Sequence, residues 1–391
     1  MPPSAKDRRS AILAVLQRRG TPVSRSELAA ELGVARATLN DPLAQLIADG
    51  VIAEDGEYQV SGGRPSQAFG IVSSSVNVGV IDVGGSRTRV GMAGLDGVLF
   101  TDDLLEANVE AGPEPIMEWA VARLAAMFEE AEDDGAGTRV VVVGLPGPVD
   151  FTTGEVVSPP IMGSWQGFDV RAHIQAAIDA PVIIDNDVNL IALAEQRFTH
   201  PDSQVLWVIK LGTGVGGGLV IDGQVLRGAR GAAGDIGHTQ ATRVHKAVCR
   251  CGNTGCVEAV AGGWALVQRL KDQGFDVENV TDVARLARDG DPVVMNVVRE
   301  AVNAIALSTA QAVSLLNPDT VSIAGEMLGA GDVVVSQIRK GIYQYSLPLA
   351  TRELTVAPSA LGPLVGLMGG AQLGIDYILG AAHVPQLEFA S

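Results

Sequence analysis

The chain has 391 residues, of which 47% are hydrophobic and 19% charged, a balance typical of folded proteins and not of disordered ones. No apolar run approaches the roughly 20 residues that span a bilayer, and the polar N-terminus lacks the hydrophobic stretch of a signal peptide. We therefore expect a cytoplasmic protein with no membrane partner. The formal net charge of −17 taken alone argues against nucleic acid as a partner.

The charge is unevenly distributed along the chain. Residues 1–70 contain eight Lys and Arg and eight Asp and Glu, so their net charge is zero (8 − 8) and the whole excess falls on residues 71–391. An acidic large domain can carry a small DNA-binding domain, because only the contact surface of the latter must be basic. The composition therefore leaves DNA binding open.

Residues 1–70 are predicted to form a winged helix-turn-helix domain and its linker. Apolar residues within 8–20 fall on one helical face, and Ser24 followed by Glu27 predicts a capping box at the start of a second helix. A third helix is expected over about 35–49, and the short spacing between these helices is typical of a helix-turn-helix.

A β-hairpin is predicted to follow the three helices. Asp55-Gly56 is a strong signal for a two-residue turn between two short strands within 51–60. Residues 61–67 (SGGRPSQ) are expected to form an Arg-bearing wing tip or linker. Pro42 removes a backbone donor inside the third helix, so we expect a kink, or a helix boundary earlier than the pattern alone suggests.

From residue 71 onward, strands and helices alternate, which predicts an α/β fold. Two strand–glycine turn–strand units begin about 130 residues apart, and such duplication predicts two lobes with a cleft between them. We expect a first lobe over 71–200, with a helix at 364–380 packed back on it, and a second lobe over 201–391. A strand that runs into a glycine turn is predicted at 77–85, a second strand–glycine turn–strand unit at 204–223, and further strands at 88–94, 97–103, 139–145, 181–185 and 320–325. Helices are predicted at about 114–132, 169–179, 188 onward, 263–274, 280–288, 292–315, 331–345 and 364–379.

The two glycine turns are candidate phosphate-binding segments, because glycine lets the backbone N–H groups approach an anion. One such turn alone is more simply a tight hairpin, but two at duplicated positions favour phosphate binding. Asp82, at the end of the first strand, could hold Mg²⁺ through water. The candidate residues are Asp82, Gly84, Gly85, Ser86, Arg87 and Thr88 in the first turn and Gly212, Thr213 and Gly214 in the second.

A third polar segment, Asp185-Asn186-Asp187, lies between a predicted strand and a predicted helix. A carboxylate at the carboxyl end of a strand faces the cleft in such folds. Asp187 could therefore accept a proton from a sugar hydroxyl that Asn186 positions. The alternative interpretation is that Asp187 only caps the helix.

The most specific segment contains all the cysteines of the chain, within eight residues: Cys249, Cys251 and Cys256. With one histidine they predict a closed, tetrahedral Cys₃His zinc site of structural type. Spacing leaves the fourth ligand open, because His238 and His245 both precede the cysteines. The same loop carries Glu258 toward the expected cleft.

These segments resemble, in order and over nearly the whole chain, the ROK family (repressor, open reading frame, kinase). A winged helix followed by GGRPS resembles the regulator branch of that family. The resemblance implies an actin/hexokinase-like two-lobed fold and a homodimer or homotetramer. The motifs are DVGGSRT (82–88), GLPGPVD (144–150), NDVN (186–189), LGTGVGGG (211–218), GAAGDIGH (231–238) and CRCGNTGCVE (249–258).

The resemblance also implies roles for individual residues. Sugar contacts are implied for Asn186, Asp187, His238 and Glu258, and Asp187 would be the catalytic base of a kinase. His238 would be the fourth metal ligand beside the three cysteines, and the two glycine turns would face the phosphates of ATP.

Two positions depart from the family pattern. Asp235 stands where the family usually has Glu, so its sugar contact is expected to be lost or to run through water. Ala324-Gly325-Glu326 stands where kinases commonly have two glycines near the adenosine, and this difference is expected to hinder nucleotide binding.

The predicted function is that of a sugar-responsive transcriptional regulator that binds operator DNA. DNA contacts are expected from Arg36, Thr38 and Asn40 in the helix-turn-helix and from Arg64 in the wing. The main alternative is an ATP- and Mg²⁺-dependent kinase of the glucose type with a fused DNA-binding domain. A further alternative is a sugar-binding scaffold whose winged helix contacts other proteins.

Overall fold

The computed structural model describes residues 5–58, 66–73, 76–132, 138–157, 160–241, 246–380 and 384–387. Arg64 and His245 lie outside these ranges, as does most of the predicted wing tip. Within them the chain forms an N-terminal unit with a three-stranded sheet, followed by two five-stranded sheets with helices around them.

The N-terminal unit is a winged helix. Its elements are α1 (Ala5–Arg19), β1 (Val23–Ser24), α2 (Arg25–Glu31), α3 (Asn40–Ala48), β2 (Ile52–Tyr58) and β3 (Ser66–Ile71). The antiparallel strand order is β1-β3-β2. The predicted capping box is confirmed, since Ser24 Oγ accepts from Glu27 N at 3.3 Å and Glu27 Oε2 accepts from Ser24 N at 2.9 Å.

The predicted two-residue hairpin is wrong. Asp55-Gly56 lies inside β2, at a register shift between Glu54 and Glu57 in the pairing with β3. The dipeptide therefore sits at an irregularity of a longer strand, where an extra residue is accommodated without reversing the chain. Ser66 and Gln67, expected in the tip or linker, belong to β3.

The third helix is shorter than predicted, and Pro42 explains its start. Arg36–Leu39 form a 3₁₀ turn, and α3 begins at Asn40. Pro42 then falls in the first helical turn, where the absent N–H costs no intrahelical bond. The earlier helix boundary expected from Pro42 is therefore wrong, because α3 begins later than the pattern predicts and Pro42 lies in its first turn.

The first five-stranded sheet has the order β10-β7-β4-β5-β6. Strands β4, β5 and β6 are antiparallel, whereas β7 and β10 run parallel to β4. The apolar strands β4 and β7 are almost wholly buried, as expected for the centre of such a sheet. This region contains β4 (Val76–Val83), β5 (Thr88–Ala93), β6 (Leu99–Leu105), α4 (Pro113–Glu132), β7 (Thr138–Leu145), β8 (Val149–Asp150), β9 (Glu155–Val156), α5 (Val170–Gln175), β10 (Val182–Asn186) and α6 (Asp187–Ala194).

The second five-stranded sheet repeats that topology. Its order is β13-β12-β11-β14-β15, with β11, β12 and β13 antiparallel and β14 and β15 parallel to β11. The predicted duplicated α/β fold is therefore confirmed. The region contains β11 (Val205–Leu211), β12 (Val215–Ile221), β13 (Gln224–Val225), α7 (Val257–Ala261), α8 (Gly263–Lys271), α9 (Val280–Arg288), α10 (Pro292–Leu316), β14 (Thr320–Ala324), α11 (Asp332–Tyr345), α12 (Pro348–Thr351), β15 (Thr355–Pro358) and α13 (Val365–Ile378).

Helix α13 returns to the first sheet, where it packs on β4, β7 and α6. Glycines make this approach possible, because a Cβ at Gly369 would overlap the carbonyl oxygen of Leu190 and one at Gly370 would overlap Val80. Helix α10 is the one helix in the described ranges that could cross a membrane by length and composition. Most of its apolar window is buried inside the protein, where it packs against α11.

The N-terminal unit packs directly against the first sheet. One continuous hydrophobic core contains Ile12 and Leu16 of α1 together with Val78 of β4 and Leu95, which follows β5. Gln17 Nε2 also donates to the carbonyl oxygen of Leu95 at 2.8 Å. The winged helix is thus held by tertiary contacts and not by its connecting segment alone.

Candidate functional site

A cleft of about 140 Å³ lies between the two five-stranded sheets. It is lined by both glycine turns, by the segment after β10 and by the loop before α7. Three residues predicted in the glycine turns, Asp82, Thr88 and Gly212, are not part of its described lining. The predicted residues that do line it are Gly84, Gly85, Ser86, Arg87, Asn186, Asp187, Thr213, Gly214, Asp235, His238 and Glu258.

Asp187 lies in this cleft as the first residue of α6, and its carboxylate accepts from Lys210 Nζ at the end of β11. Burial would lower the pKa of the Lys210 ammonium, but neighbouring carboxylates outweigh burial and raise that pKa above its usual value. Those carboxylates belong to Asp187, Glu326 and Asp82. Burial in turn raises the pKa of Asp82 to about 6, against the opposing effect of Lys210.

Sequence reasoning missed Lys210, although a signal was present. It stands in β11 among apolar residues (VLWVIKL), and a lysine in an otherwise buried strand needs an anionic partner. That partner, Asp187, is remote in sequence, so the ion pair is visible only in the folded chain.

Asn186, not Asp187, caps α6. Asn186 Oδ1 accepts from Val188 N at 3.0 Å, and Asn186 Nδ2 donates to the carbonyl oxygen of Gly147 at 2.8 Å. The interpretation of Asp187 as the cap is therefore wrong. Because Asn186 satisfies the helix terminus, the carboxylate of Asp187 is directed to the cleft instead.

Asp185 is a second buried carboxylate that sequence reasoning did not single out. It accepts from Asn189 Nδ2 at 2.8 Å and from Arg227 Nε at 2.8 Å. Arg227 also stacks on Phe151, with 3.9 Å between the guanidinium carbon and the ring centroid. These contacts fix the β10–α6 junction, and with it the orientation of Asp187.

Glu258 is held rigidly at the cleft. Its Oε2 accepts from Val215 N at 3.0 Å, and Trp264 Nε1 donates to Oε1 at 3.4 Å. Gly214 permits this approach, since a Cβ there would lie 2.5 Å from Glu258 Oε2. Asp235, by contrast, is exposed, and its Oδ1 accepts from His238 N at 3.2 Å.

His238 and the three cysteines form a group that could hold a metal ion, with all four ligand atoms within 4.8 Å of one another. Cys249 Sγ lies 3.7 Å from His238 Nδ1, and Cys251 Sγ lies 3.7 Å from Cys256 Sγ. A tetrahedron with metal–sulfur bonds of about 2.3 Å has edges of about 3.8 Å, so this spacing fits Zn²⁺. Cys256 is also the N-cap residue of α7, two positions before Glu258.

The N-terminal unit presents a groove at the start of its second and third helices. Of the predicted DNA contacts, Arg36 and Asn40 line it, whereas Thr38 is not part of its described lining. Sequence reasoning did not single out Arg25, which also lines the groove. Its guanidinium carbon lies over the Phe69 ring, 5.6 Å from the centroid. The described lining consists of Arg25, Ser26, Arg36, Ala37, Asn40 and Gln67.

Comparison with known proteins agrees with this architecture. The chain is 25% identical over 372 residues to the xylose repressor of Caldicellulosiruptor bescii, covering 91% of this chain and 92% of that protein. It is 27% identical over 309 residues to the glucokinase of Thermotoga maritima, covering 75% of this chain and 95% of the kinase. The crystal structure of a ROK family transcriptional regulator, a homologue of the Escherichia coli MLC protein, superposes with a TM-score of 0.76 at 23% identity, covering 97% and 99% of the two chains.

Two family models match the chain. The model of winged helix-turn-helix DNA-binding domains matches residues 6–53, which contain α1 to α3. The ROK family model matches residues 78–376, which contain both five-stranded sheets and the cleft between them. On the extent of that match, the chain belongs to the ROK family.

Proposed function

We propose that the protein is a sugar-responsive transcriptional regulator, in which the winged helix binds operator DNA and the cleft binds a sugar or sugar derivative. One observation carries this proposal: the winged helix and the first sheet, whose strand ends form one wall of the cleft, share a single hydrophobic core. We also propose a division into a winged helix over 1–70, a first lobe over 71–200 and a second lobe over 201–391. The two equivalent sheets support that division.

For DNA binding we propose that the 3₁₀ turn and the start of α3 enter the major groove. Arg36 and Asn40 would contact base edges, as would Thr38 beside them, and Arg25 would contact a phosphate. Arg64 remains the proposed contact of the wing. The acidic net charge does not oppose this, because it lies outside the winged helix.

Fluorescence anisotropy with DNA from the protein's own promoter tests this proposal. Arg36→Ala should lower affinity for the specific site by about five- to 150-fold, the effect of losing one good base contact. Arg25→Ala should weaken binding to all sequences and reduce the salt dependence by about one phosphate contact. Arg285→Ala, at an exposed position of α9, is the matched control. Promoter binding unchanged in both winged-helix variants would contradict the proposed DNA surface and favour the scaffold alternative.

For ligand binding we propose that a sugar lies against Asp187, Asn186 and Glu258, with His238 and Asp235 at the rim. Their carboxylates and amide accept or donate hydrogen bonds in the manner that hydroxyl groups require. A panel of monosaccharides should raise the melting temperature of the wild-type protein, since bound ligand stabilises by mass action. Glu258→Gln should abolish the shift and the effect of sugar on promoter binding without abolishing promoter binding itself.

We propose that the Cys₃His group binds Zn²⁺ as a structural ion. The four side chains complete a tetrahedral shell, so the ion would have no open position for chemistry. Bound there, it would supply a cross-link that fixes the loop before α7. Reduced thiolates of this kind fit a cytoplasmic location.

We further propose that the chain acts as a homodimer or homotetramer, because two winged helices can read a two-part operator. The spacing of half-sites that the two winged helices fit would then depend on whether the cleft holds a ligand. Light scattering in solution and promoter fragments with altered half-site spacing test this proposal together.

The kinase alternative has one specific observation in its favour: Asp187 and both glycine turns line the same cleft. ATP with Mg²⁺ would then be the phosphoryl donor. A coupled assay with ATP and a hexose panel tests it, and turnover of about 1–10³ per second that is lost in Asp187→Ala would establish a kinase.

A further inference from the structure

The part of the cleft between the two glycine turns contains charged side chains of the protein itself. Glu326, which follows β14, lies against the second turn, since a Cβ at Gly212 would stand 2.6 Å from Glu326 Oε2. On its other side, Glu326 Oε1 lies 3.9 Å from Arg87 Nη2 of the first turn. The Glu326 carboxylate thus lies between the Arg87 guanidinium and the glycine backbone of the second turn. That position suits the phosphate of a ligand.

The two turns also approach each other closely. A Cβ at Gly85 would lie 2.7 Å from Thr213 Oγ1, so the first turn already lies against the side chain of the second. A nucleotide phosphate bridging the turns would have to separate them and displace Glu326. Like-charge repulsion between the Glu326 carboxylate and the phosphate would oppose binding of the phosphate there.

Lys210 supplies the complementary positive charge. Its ammonium pairs with Asp187, and the negative charges of Glu326 and Asp82 also act on it, so three carboxylates from different parts of the chain favour one cation here. Carboxylates are the side chains with which proteins hold Mg²⁺ beside a nucleotide. Here an ammonium neutralises them, and a divalent cation would meet a partly buried like charge. The residues present therefore do not fit Mg²⁺–ATP.

We propose that Lys210 and Glu326 are a built-in replacement for the metal ion and phosphate of a nucleotide. The Lys210 ammonium takes the place of the divalent cation, and the Glu326 carboxylate takes the place of a phosphate. Both ion pairs connect the two sheets: Lys210 in β11 reaches α6, and Arg87 in the β4–β5 turn reaches Glu326 after β14. The glycine turns are held together without ATP, so ligand binding in the cleft is independent of nucleotide. This inference does not rest on DNA binding or on the identity of the sugar.

Isothermal titration with Mg²⁺–ATP tests the replacement. The wild-type protein should show no saturable binding at millimolar ATP. Lys210→Met combined with Glu326→Ala should gain affinity by about tenfold or more, because a blocking carboxylate and a competing cation are both removed. The matched control is Lys340→Met with Glu353→Ala, the same charge changes at exposed positions, which should gain nothing.

Two results would overturn the proposal: wild-type protein that binds Mg²⁺–ATP as tightly as the double variant, or a folded double variant that gains no affinity. Glu326→Ala alone keeps the Lys210–Asp187 pair and should show a smaller gain. It provides the same test if the double variant fails to fold.

A second measurement uses Mn²⁺ as a probe of the carboxylates. Lys210→Met leaves them without a cation, so Mn²⁺ should raise the melting temperature of this variant and leave that of the wild type unchanged. An equal shift in both proteins, or none in the variant, would contradict the role given to Lys210. Promoter binding of the wild type, measured separately, distinguishes failure of this inference from failure of the proposed function.

Discussion

The two five-stranded sheets share one strand order and a glycine turn at the same place, yet different helices pack with them. The first sheet is covered by α13, which comes from the far end of the chain and approaches through glycines. The second shares its hydrophobic core with α10 and α11 and is followed by a loop that carries the Cys₃His group.

The turns have diverged in chemistry as well. The first turn places a charged side chain, Arg87, in the cleft. In the second turn the glycine backbone lies against the carboxylates of Glu258 and Glu326. Duplication therefore explains the scaffold, while the chemistry of the cleft depends on residues that differ between the halves. The following changes test how far that contrast extends.

The largest effect is expected from removing a proposed metal ligand of the second half. Cys256→Ser should reduce the metal content from about one zinc ion per chain to near zero, and it should cost several kcal/mol of stability, because structural zinc contributes its binding energy to folding. Metal analysis and thermal unfolding measure the two effects. Thr254→Ser, in the same loop but not a ligand, should retain the ion. Wild-type protein purified without metal would refute the site.

An intermediate effect is expected from the glycines that let helices approach. Gly369→Ala places a methyl group against the backbone carbonyl of Leu190, which cannot move without shifting α6. The methyl group of Gly341→Ala in α11 would lie nearest to the Cβ of Ala306, at 2.5 Å, with the Ala306 backbone at 3.5 Å. We expect a loss of about 3 kcal/mol or more for the first and about 1–2 kcal/mol for the second. Urea unfolding measures both, and the reverse order would show that α10 and α11 are the more rigid pair.

The smallest effect is expected at the contact between the metal loop and the first half. Arg250 pairs with Glu110 and lies over Trp264, 4.7 Å from the ring centroid. Both charged side chains are partly exposed, so Arg250→Ala should cost less than about 1 kcal/mol. A double-mutant cycle with Glu110→Ala isolates the pair, and a coupling energy well above that value would show that the two halves are more tightly joined than their sheets suggest.

Most of the fold was predictable, because strands such as VVVVGL and the helical periodicity after residue 263 are local signals. The hairpin at Asp55-Gly56 was predicted wrongly, since the pairing of β2 with β3 overrides the local preference of the dipeptide for a turn. Turn propensity is a weak prior beside strand pairing on both sides of the dipeptide, even where the register shifts between Glu54 and Glu57.

The candidate site was predictable where its residues lie in one short segment, as with Cys249, Cys251 and Cys256. It was not predictable where partners are remote in sequence. The pairing of Lys210 with Asp187 and that of Arg227 with Asp185 depend on how the two sheets meet. No local pattern encodes that arrangement, so the missed residues are those whose role is set by tertiary contact.

The core shared by α1 and the first sheet has a consequence for how such a protein can change over evolutionary time. A cut near residue 72, followed by exchange of the first segment for that of another regulator, would remove Ile12 and Leu16 from the hydrophobic core that they share with the first sheet. The winged helix and the domain that contains the cleft are therefore not readily exchanged between regulators. A new operator preference is reached more readily by substitutions on the exposed face of the winged helix than by recombination near residue 72.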